Sequence, residues 1–218
     1  MDISRIENFI SAYAYDEKDI IKYLSEYASK NNVPIIRNDT KNFIRAVIDL
    51  KKPRKVLEIG TAIGYSAIII YDEIRKYFSN PIVYTIEDYP ERIKTAKANF
   101  KKFQYDDIKL YEGDASIYID SLLKDNESFD FIFLDAAKAQ YPIWLDKIIK
   151  LLNKDGILLA DNILKDGEIL ESRYAIEKRD RTIHHRMREY IHKIYENDKL
   201  TQYIFPIGDG ISMTIKNA

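Results

Sequence analysis

"KVLEIGTAIGYSAIII", residues 55–70, changes character halfway along. Its first five residues carry the short, apolar pattern of a buried strand. Gly60 and Gly64 then bracket a tight turn, and the residues from Gly64 onward have the composition and length of a helix running to about Phe78. A strand that passes through two glycines into a helix is the opening unit of an α/β fold. Glycine at such a turn lets backbone come close to a ligand and aims helix N–H groups at it. A tight strand–helix turn with no ligand accounts for the same residues equally well.

The same alternation continues downstream. "IVYTIE" (82–87), "IKLYE" (108–112), "FDFIFLD" (129–135) and "GILLAD" (156–161) read as further strands. Between them lie segments of helical periodicity, Pro90–Phe103, Ala115–Lys124 and Tyr141–Leu152. Near-continuous apolar strands alternating with helices predict a mostly parallel sheet covered on both faces, a doubly wound, Rossmann-like α/β fold. Upstream, residues 1–52 read as helices: Asp16 is placed to cap one reaching Ser29, and Asp39 or Thr40 another ending near Leu50, with "NNVPIIRND" as the loop between. Downstream, a long helix is expected from about Ile169 to Asn197. "LTQYIFPIGDGISMTIK" then closes the chain as an antiparallel hairpin around Gly208-Asp209-Gly210. We expect one domain over 1–218, with a helical part at 1–52 and the α/β core at 53–218.

Composition fits this reading. The chain has 218 residues, 46% of them hydrophobic, enough for one well-cored domain. There is no cysteine, which excludes a disulfide scaffold and a thiolate metal site. No signal-peptide pattern or membrane-length apolar run occurs, so a cytoplasmic protein is expected. The net charge of −1 hides an asymmetry. Arg173–Lys193 holds seven Lys/Arg against three Asp/Glu, together with all three histidines, a local charge of +4 that leaves −5 for the remainder.

In doubly wound sheets, ligands bind beyond the carboxyl ends of the strands, so the residues at those ends are the ones to inspect. Glu87 ends the second strand, where such folds place a ribose-binding acid; capping the helix from Pro90 is the plainer role. Asp114 follows the third strand and can cap the next helix, meet an adenine amino group, or do both. The fourth and fifth strands end in "LDAAK" and "LADN", which bring Asp135, Asp161 and Asn162 toward one place. Three oxygen donors without His or Cys suit a hard cation such as Mg²⁺. Lys138 adds a nearby amine able to act as a base once desolvated. The G-x-G-x-x-G spacing of a dinucleotide fingerprint is absent, which argues against a dehydrogenase.

Taken in order, "VPII", "VLEIGTAIGYSA", "YTIE", "YEGDA", "FIFLDAAK", "LLADN" and "PIGDG" resemble the metal-dependent, catechol-type (class I) O-methyltransferases that use S-adenosyl-L-methionine. The resemblance runs from about Val33 to the C-terminus. It implies Asp135, Asp161 and Asn162 as Mg²⁺ ligands and Lys138 as the catalytic base. It implies Glu87 on the cofactor ribose, Asp114 and Ala115 on the adenine, and Ser66 with the Gly60-Thr61 backbone on the methionine carboxylate. Ile35 and Glu58 are expected to line the same pocket. Catechol enzymes carry an aromatic residue between the metal aspartate and the lysine. Here Ala136 and Ala137 occupy those places, so any aromatic contact to adenine has to come from elsewhere.

"VPII", "EIGTAIGYSAI", "FLDAAKAQY", "DNIL" and "PIGDG" look most like the bacterial branch that methylates 5-hydroxyuridine at the tRNA wobble position. That branch implies a tRNA anticodon loop as partner, and relatives are commonly homodimers. Read as a helix, the basic segment puts Ile176, Ile183, Met187, Tyr190, Ile191 and Ile194 on one side and Arg181, His185, Arg188 and His192 opposite. The second set is the expected phosphate-contacting face; a merely solvated basic face has the same pattern. Two alternatives stay open: a small-molecule catechol or phenylpropanoid methyltransferase with the same machinery, and a non-catalytic nucleotide-binding or interaction protein on this fold.

Overall fold

The computed structural model describes Phe9 and residues 18–165, 167–172 and 174–217. Its centre is a seven-stranded sheet in the order β3-β2-β1-β4-β5-β7-β6. The strands are β1 (Lys55–Ile59), β2 (Ile82–Glu87), β3 (Lys109–Glu112), β4 (Phe129–Leu134), β5 (Leu152–Ala160), β6 (Leu200–Phe205) and β7 (Ile211–Lys216). The first five are parallel; β7 pairs with β5 antiparallel, and β6 pairs with β7 antiparallel at the edge. The fold class expected from the alternating pattern is therefore the one observed.

The helices among the described residues are α1 (Asp19–Asn31), α2 (Asn38–Lys51), α3 (Tyr65–Arg75), α4 (Pro90–Lys102), α5 (Ala115–Lys124), α6 (Tyr141–Leu151) and α7 (Arg181–Tyr195). They divide between the two faces of the sheet because successive strand side chains point to opposite sides. Val56, Val83, Phe131, Phe133 and Leu159 meet α1 to α4, including Leu24, Ile44, Ile48 and Ile68. Leu57, Ile59, Ile132, Leu134 and Leu158 meet α5 to α7, including Ile119, Ile148, Met187 and Tyr190. Each fully buried Leu or Ile contributes roughly 1.5–3 kcal/mol, so the two layers together hold the strand ends in fixed register.

Two local expectations are corrected. The segment Ile169–Asn197 is not one helix. A 3₁₀ turn covers Glu168–Leu170, and α7 begins only at Arg181. Side chains of α7 satisfy the carbonyls of the intervening loop. Arg181 Nε donates to the Ile176 carbonyl at 3.1 Å, and His184 Nε2 lies 3.1 Å from that of Glu171. Ile176 is buried from the loop rather than from a helix face. Second, the cap of α2 is Arg37, not Asp39 or Thr40. Asp39 is used across the fold: its carboxylate accepts from the Gly208 N–H at 2.7 Å, tying α2 to the β6–β7 turn. The expected cap at Asp16 lies outside the described residues. Among them, no helix is long and apolar enough to cross a membrane.

Candidate active site

The order β2-β1-β4 places the switch in winding direction between β1 and β4, where a crevice forms at the strand ends. A cavity of about 570 Å³ opens there. Ladder hydrogen bonds carry the alignment past the last strand residues. Asp135 N–H donates to the Ile59 carbonyl at 2.9 Å, and Asp161 N–H to that of Leu134 at 3.0 Å. The two aspartates thus emerge side by side.

Gly60 has φ +107°, and a Cβ there would fall 1.9 Å from the Asp135 carbonyl oxygen. Only glycine allows β1 and β4 to end this close together. Within the loop that follows, Ala62 has φ +47°, an uncommon left-handed conformation for alanine. It is held there by its own N–H, which donates to Glu87 Oε2 at 2.7 Å. Glu87 Oε1 accepts from the N–H groups of Asp88 and Tyr89 at 3.2 and 3.1 Å. Glu87 therefore fixes the glycine loop and the start of the next connection while still lining the cavity.

Ile35, Gly60, Thr61, Ser66, Glu87, Asp114 and Ala115 all lie on the cavity wall, as do Asp135, Lys138, Asp161 and Asn162. Asp114 also caps α5, its Oδ1 accepting from Ser116 N–H at 2.7 Å. Glu58 is placed differently. It is fully buried behind the wall and accepts a hydrogen bond from the Thr85 hydroxyl. Burial pushes its carboxyl up to about 7, partly offset by the hydroxyls of Ser66 and Thr85, with Asp135 and Glu87 adding to the rise.

At the other end, Asp135 Oδ1 receives Lys138 Nζ at 3.3 Å and Asn162 Nδ2 at 3.2 Å. Asp161 Oδ1 accepts from the Asn162 N–H at 2.7 Å. Burial, and then the neighbouring Asp135, push the Asp161 carboxyl up to about 7. Asn162 has φ +58°, a conformation asparagine tolerates better than most residues. Tyr141, fully buried, braces both strand ends: its hydroxyl donates to the Leu134 carbonyl at 3.0 Å and accepts from Ala136 N–H at 3.2 Å.

These donors fit a hard cation. Two carboxylates and a carboxamide, all oxygen donors, share one corner of the cavity. Among the described residues no group of three His, Cys, Asp or Glu side chains converges, so the donor set relies on Asn162.

Arg181, His185, Arg188 and His192 do not line the cavity. They belong to α7, which packs against the 3₁₀ turn Lys138–Gln140. Arg188 reaches the Glu171 carbonyl at 3.5 Å, His192 pairs with Glu196 at 3.1 Å, and His185 is exposed. Conversely, Arg37, Thr40, Arg92, Trp144 and Asp209 are on the wall although none of them was expected there. Of these only Asp209, inside "PIGDG", carried a visible signal. The Thr40 hydroxyl is buried with no hydrogen-bond partner among the described residues.

The sequence model of a family described as O-methyltransferase matches residues 9–217. A Dictyostelium discoideum protein named "Probable caffeoyl-CoA O-methyltransferase 3" is 24% identical over 212 residues, covering 92% of this chain and 83% of that one. A Methanococcus vannielii protein-L-isoaspartate O-methyltransferase is 35% identical over 151 residues, 66% of this chain and 67% of its own. Among solved structures, the Bacillus cereus O-methyltransferase in complex with SAH superposes with a TM-score of 0.86 at 20% identity, covering 97% of each chain. That superposition carries the fold; the family match extends over nearly the whole chain, strand-end loops included. This chain belongs to the S-adenosylmethionine-dependent O-methyltransferase family.

Proposed function

We propose that the chain methylates the 5-hydroxyl of 5-hydroxyuridine at the tRNA wobble position, giving 5-methoxyuridine, with Mg²⁺ held by Asp135, Asp161 and Asn162. S-adenosylmethionine supplies an electrophilic methyl group, and a divalent cation lowers the pKa of a hydroxyl beside a second oxygen. The remaining work falls to the protein. The Gly60–Gly64 loop, Ser66, Glu87 and Asp114 orient the cofactor end. Lys138, tethered through Asp135, is positioned to take the proton from the acceptor hydroxyl. The cavity walls hold both reactants in one geometry.

The observation that carries the choice of acceptor is the seating of α7 on the Lys138–Gln140 turn. Its Arg181 and Arg188 bind main-chain carbonyls, and neither meets a carboxylate among the described residues, so their charge stays available beside the site. Such charge serves a phosphate backbone, and an anticodon-loop base is single-stranded and can be splayed into a pocket. A small diphenol or phenylpropanoid acceptor is the second reading. It is favoured by the absence of the four basic residues from the wall and by the caffeoyl-CoA name of a relative.

A competition assay separates the two. Purified protein with Mg²⁺ and S-adenosylmethionine is given tRNA bearing 5-hydroxyuridine together with a catechol panel. Methyl transfer to the tRNA supports the first reading; turnover of the diphenols alone supports the second and overturns the first.

A further inference from the structure

Gln140 lines the cavity two residues beyond Lys138, at the end of the 3₁₀ turn Lys138–Gln140 and at the N-cap of α6. Helix N-caps favour Ser, Thr, Asp and Asn, whose short side chains accept from a first-turn N–H. Gln140 is a methylene longer than Asn and makes no side-chain cap hydrogen bond. Its backbone is nonetheless well held. Its N–H donates to the Ala137 carbonyl at 2.9 Å, and the next N–H, that of Tyr141, donates to the Lys138 carbonyl. Behind the turn stand the fully buried Tyr141 and helix α7.

A half-buried glutamine at a helix start is ordinarily a solvated side chain. Two observations set this one apart. Its carboxamide makes no hydrogen bond among the described residues, and it stands on the wall beside the amine of Lys138. Asn162, the other carboxamide on the wall, already donates to Asp135. Gln140 therefore carries an unused donor and an unused acceptor in one plane, on a fixed turn. That pair complements an imide, in which an N–H lies between two carbonyls, as it does in uracil. A diphenol ring has no such edge.

We propose that Gln140 is the specificity-determining residue for the acceptor, its carboxamide oxygen accepting from the uracil N3–H and its amide nitrogen donating to an adjacent carbonyl. A site built to hydrogen-bond its substrate rejects an analogue that leaves its polar groups unpaired, so this one side chain selects an imide over a diphenol. The proposal rests on the reading that the acceptor is 5-hydroxyuridine.

The test uses a synthetic anticodon stem-loop carrying either 5-hydroxyuridine or its N3-methyl derivative, with Mg²⁺ and S-adenosylmethionine. Wild-type protein should favour the N3–H form by about tenfold or more in kcat/KM, the usual worth of two hydrogen bonds. Gln140→Met matches the glutamine in length and removes both bonds. It should lose about tenfold or more on 5-hydroxyuridine and treat the two RNAs alike, within about twofold. Its melting temperature and its affinity for S-adenosylhomocysteine should stay those of wild type, which separates acceptor recognition from packing. A wild type indifferent to the N3 methyl, or a Gln140→Met protein that keeps the wild-type preference, overturns the proposal and leaves the acceptor reading intact. Methylation of neither RNA by the wild type overturns the acceptor reading, and this proposal with it. Should Gln140→Met not fold, Gln140→Ala takes its place under the same outcomes.

Discussion

The α-carbon of Gly60 lies against the carbonyl of Asp135, so near that a β-carbon would come within 1.9 Å of the oxygen. The turn that is to hold the cofactor and the aspartate that is to hold the cation are thus one packed unit. Gly60→Ala has to part β1 from β4 and also adopt φ +107°. We expect a loss on the order of 3 kcal/mol or more, seen as a lowered melting temperature together with lost S-adenosylhomocysteine binding. Normal melting and normal affinity in this variant would show that the close approach is unimportant.

Asp161→Asn separates function from stability. The buried carboxyl of Asp161 faces Asp135, so removing its charge should make the metal-free protein more stable than wild type by roughly 1 kcal/mol. The same change should abolish methyl transfer and remove the rise in melting temperature that Mg²⁺ gives the wild type. A variant still stabilised by Mg²⁺ would take Asp161 out of the ligand set.

Lys138→Met should lower kcat by about 10²- to 10⁴-fold, the usual range for loss of a general base. The affinity for S-adenosylhomocysteine should stay within about twofold. Near-normal turnover would assign the proton to another group.

Glu58 predicts a pH dependence of stability. Its carboxyl is pushed up to about 7 in the folded protein from the ordinary glutamate value of 4.5, with burial as the main cause and Asp135 and Glu87 adding to it. Between those values the folded state binds more protons than the unfolded state, so stability falls as pH rises and levels off above about 7. The total is on the order of 3 kcal/mol. Denaturation of Glu58→Gln from acid to neutral pH should lack this slope, and its advantage over wild type should grow toward neutral pH. Parallel pH profiles for the two proteins would contradict the assignment.

Arg181→Ala combined with Arg188→Ala should weaken tRNA binding and flatten its salt dependence by about 1.4–1.8 in log–log slope, as expected for two lost phosphate contacts. Cofactor affinity should be untouched. An unchanged salt slope would reduce α7 to a solvated basic face.

The legible parts of this chain were those set by local pattern. β1 and β2 appear with the bounds their apolar runs suggested, because a buried strand announces itself over five or six residues. The residues converging at β4 and β5 were visible because strand ends are where such folds bind ligands. What stayed hidden depends on distant partners. The break before α7 exists because Arg181 and His184 supply hydrogen bonds to a loop, and helical periodicity cannot register that. Asp39 looks like a cap until its partner at Gly208 is known. Trp144 has the spacing of a core residue and packs in the core, and only the cavity shows that it also reaches the wall. Glu58, which the resemblance put on the wall, sits on a buried strand and is fully buried behind it.

The central claim is the acceptor, and nucleoside mass spectrometry of tRNA tests it most directly. In cells lacking this gene, 5-hydroxyuridine should accumulate at the wobble position and 5-methoxyuridine should disappear, with both restored by the wild-type protein and neither by Lys138→Met. Unchanged 5-methoxyuridine in the deletion strain, with the purified enzyme methylating only small diphenols, would contradict the account.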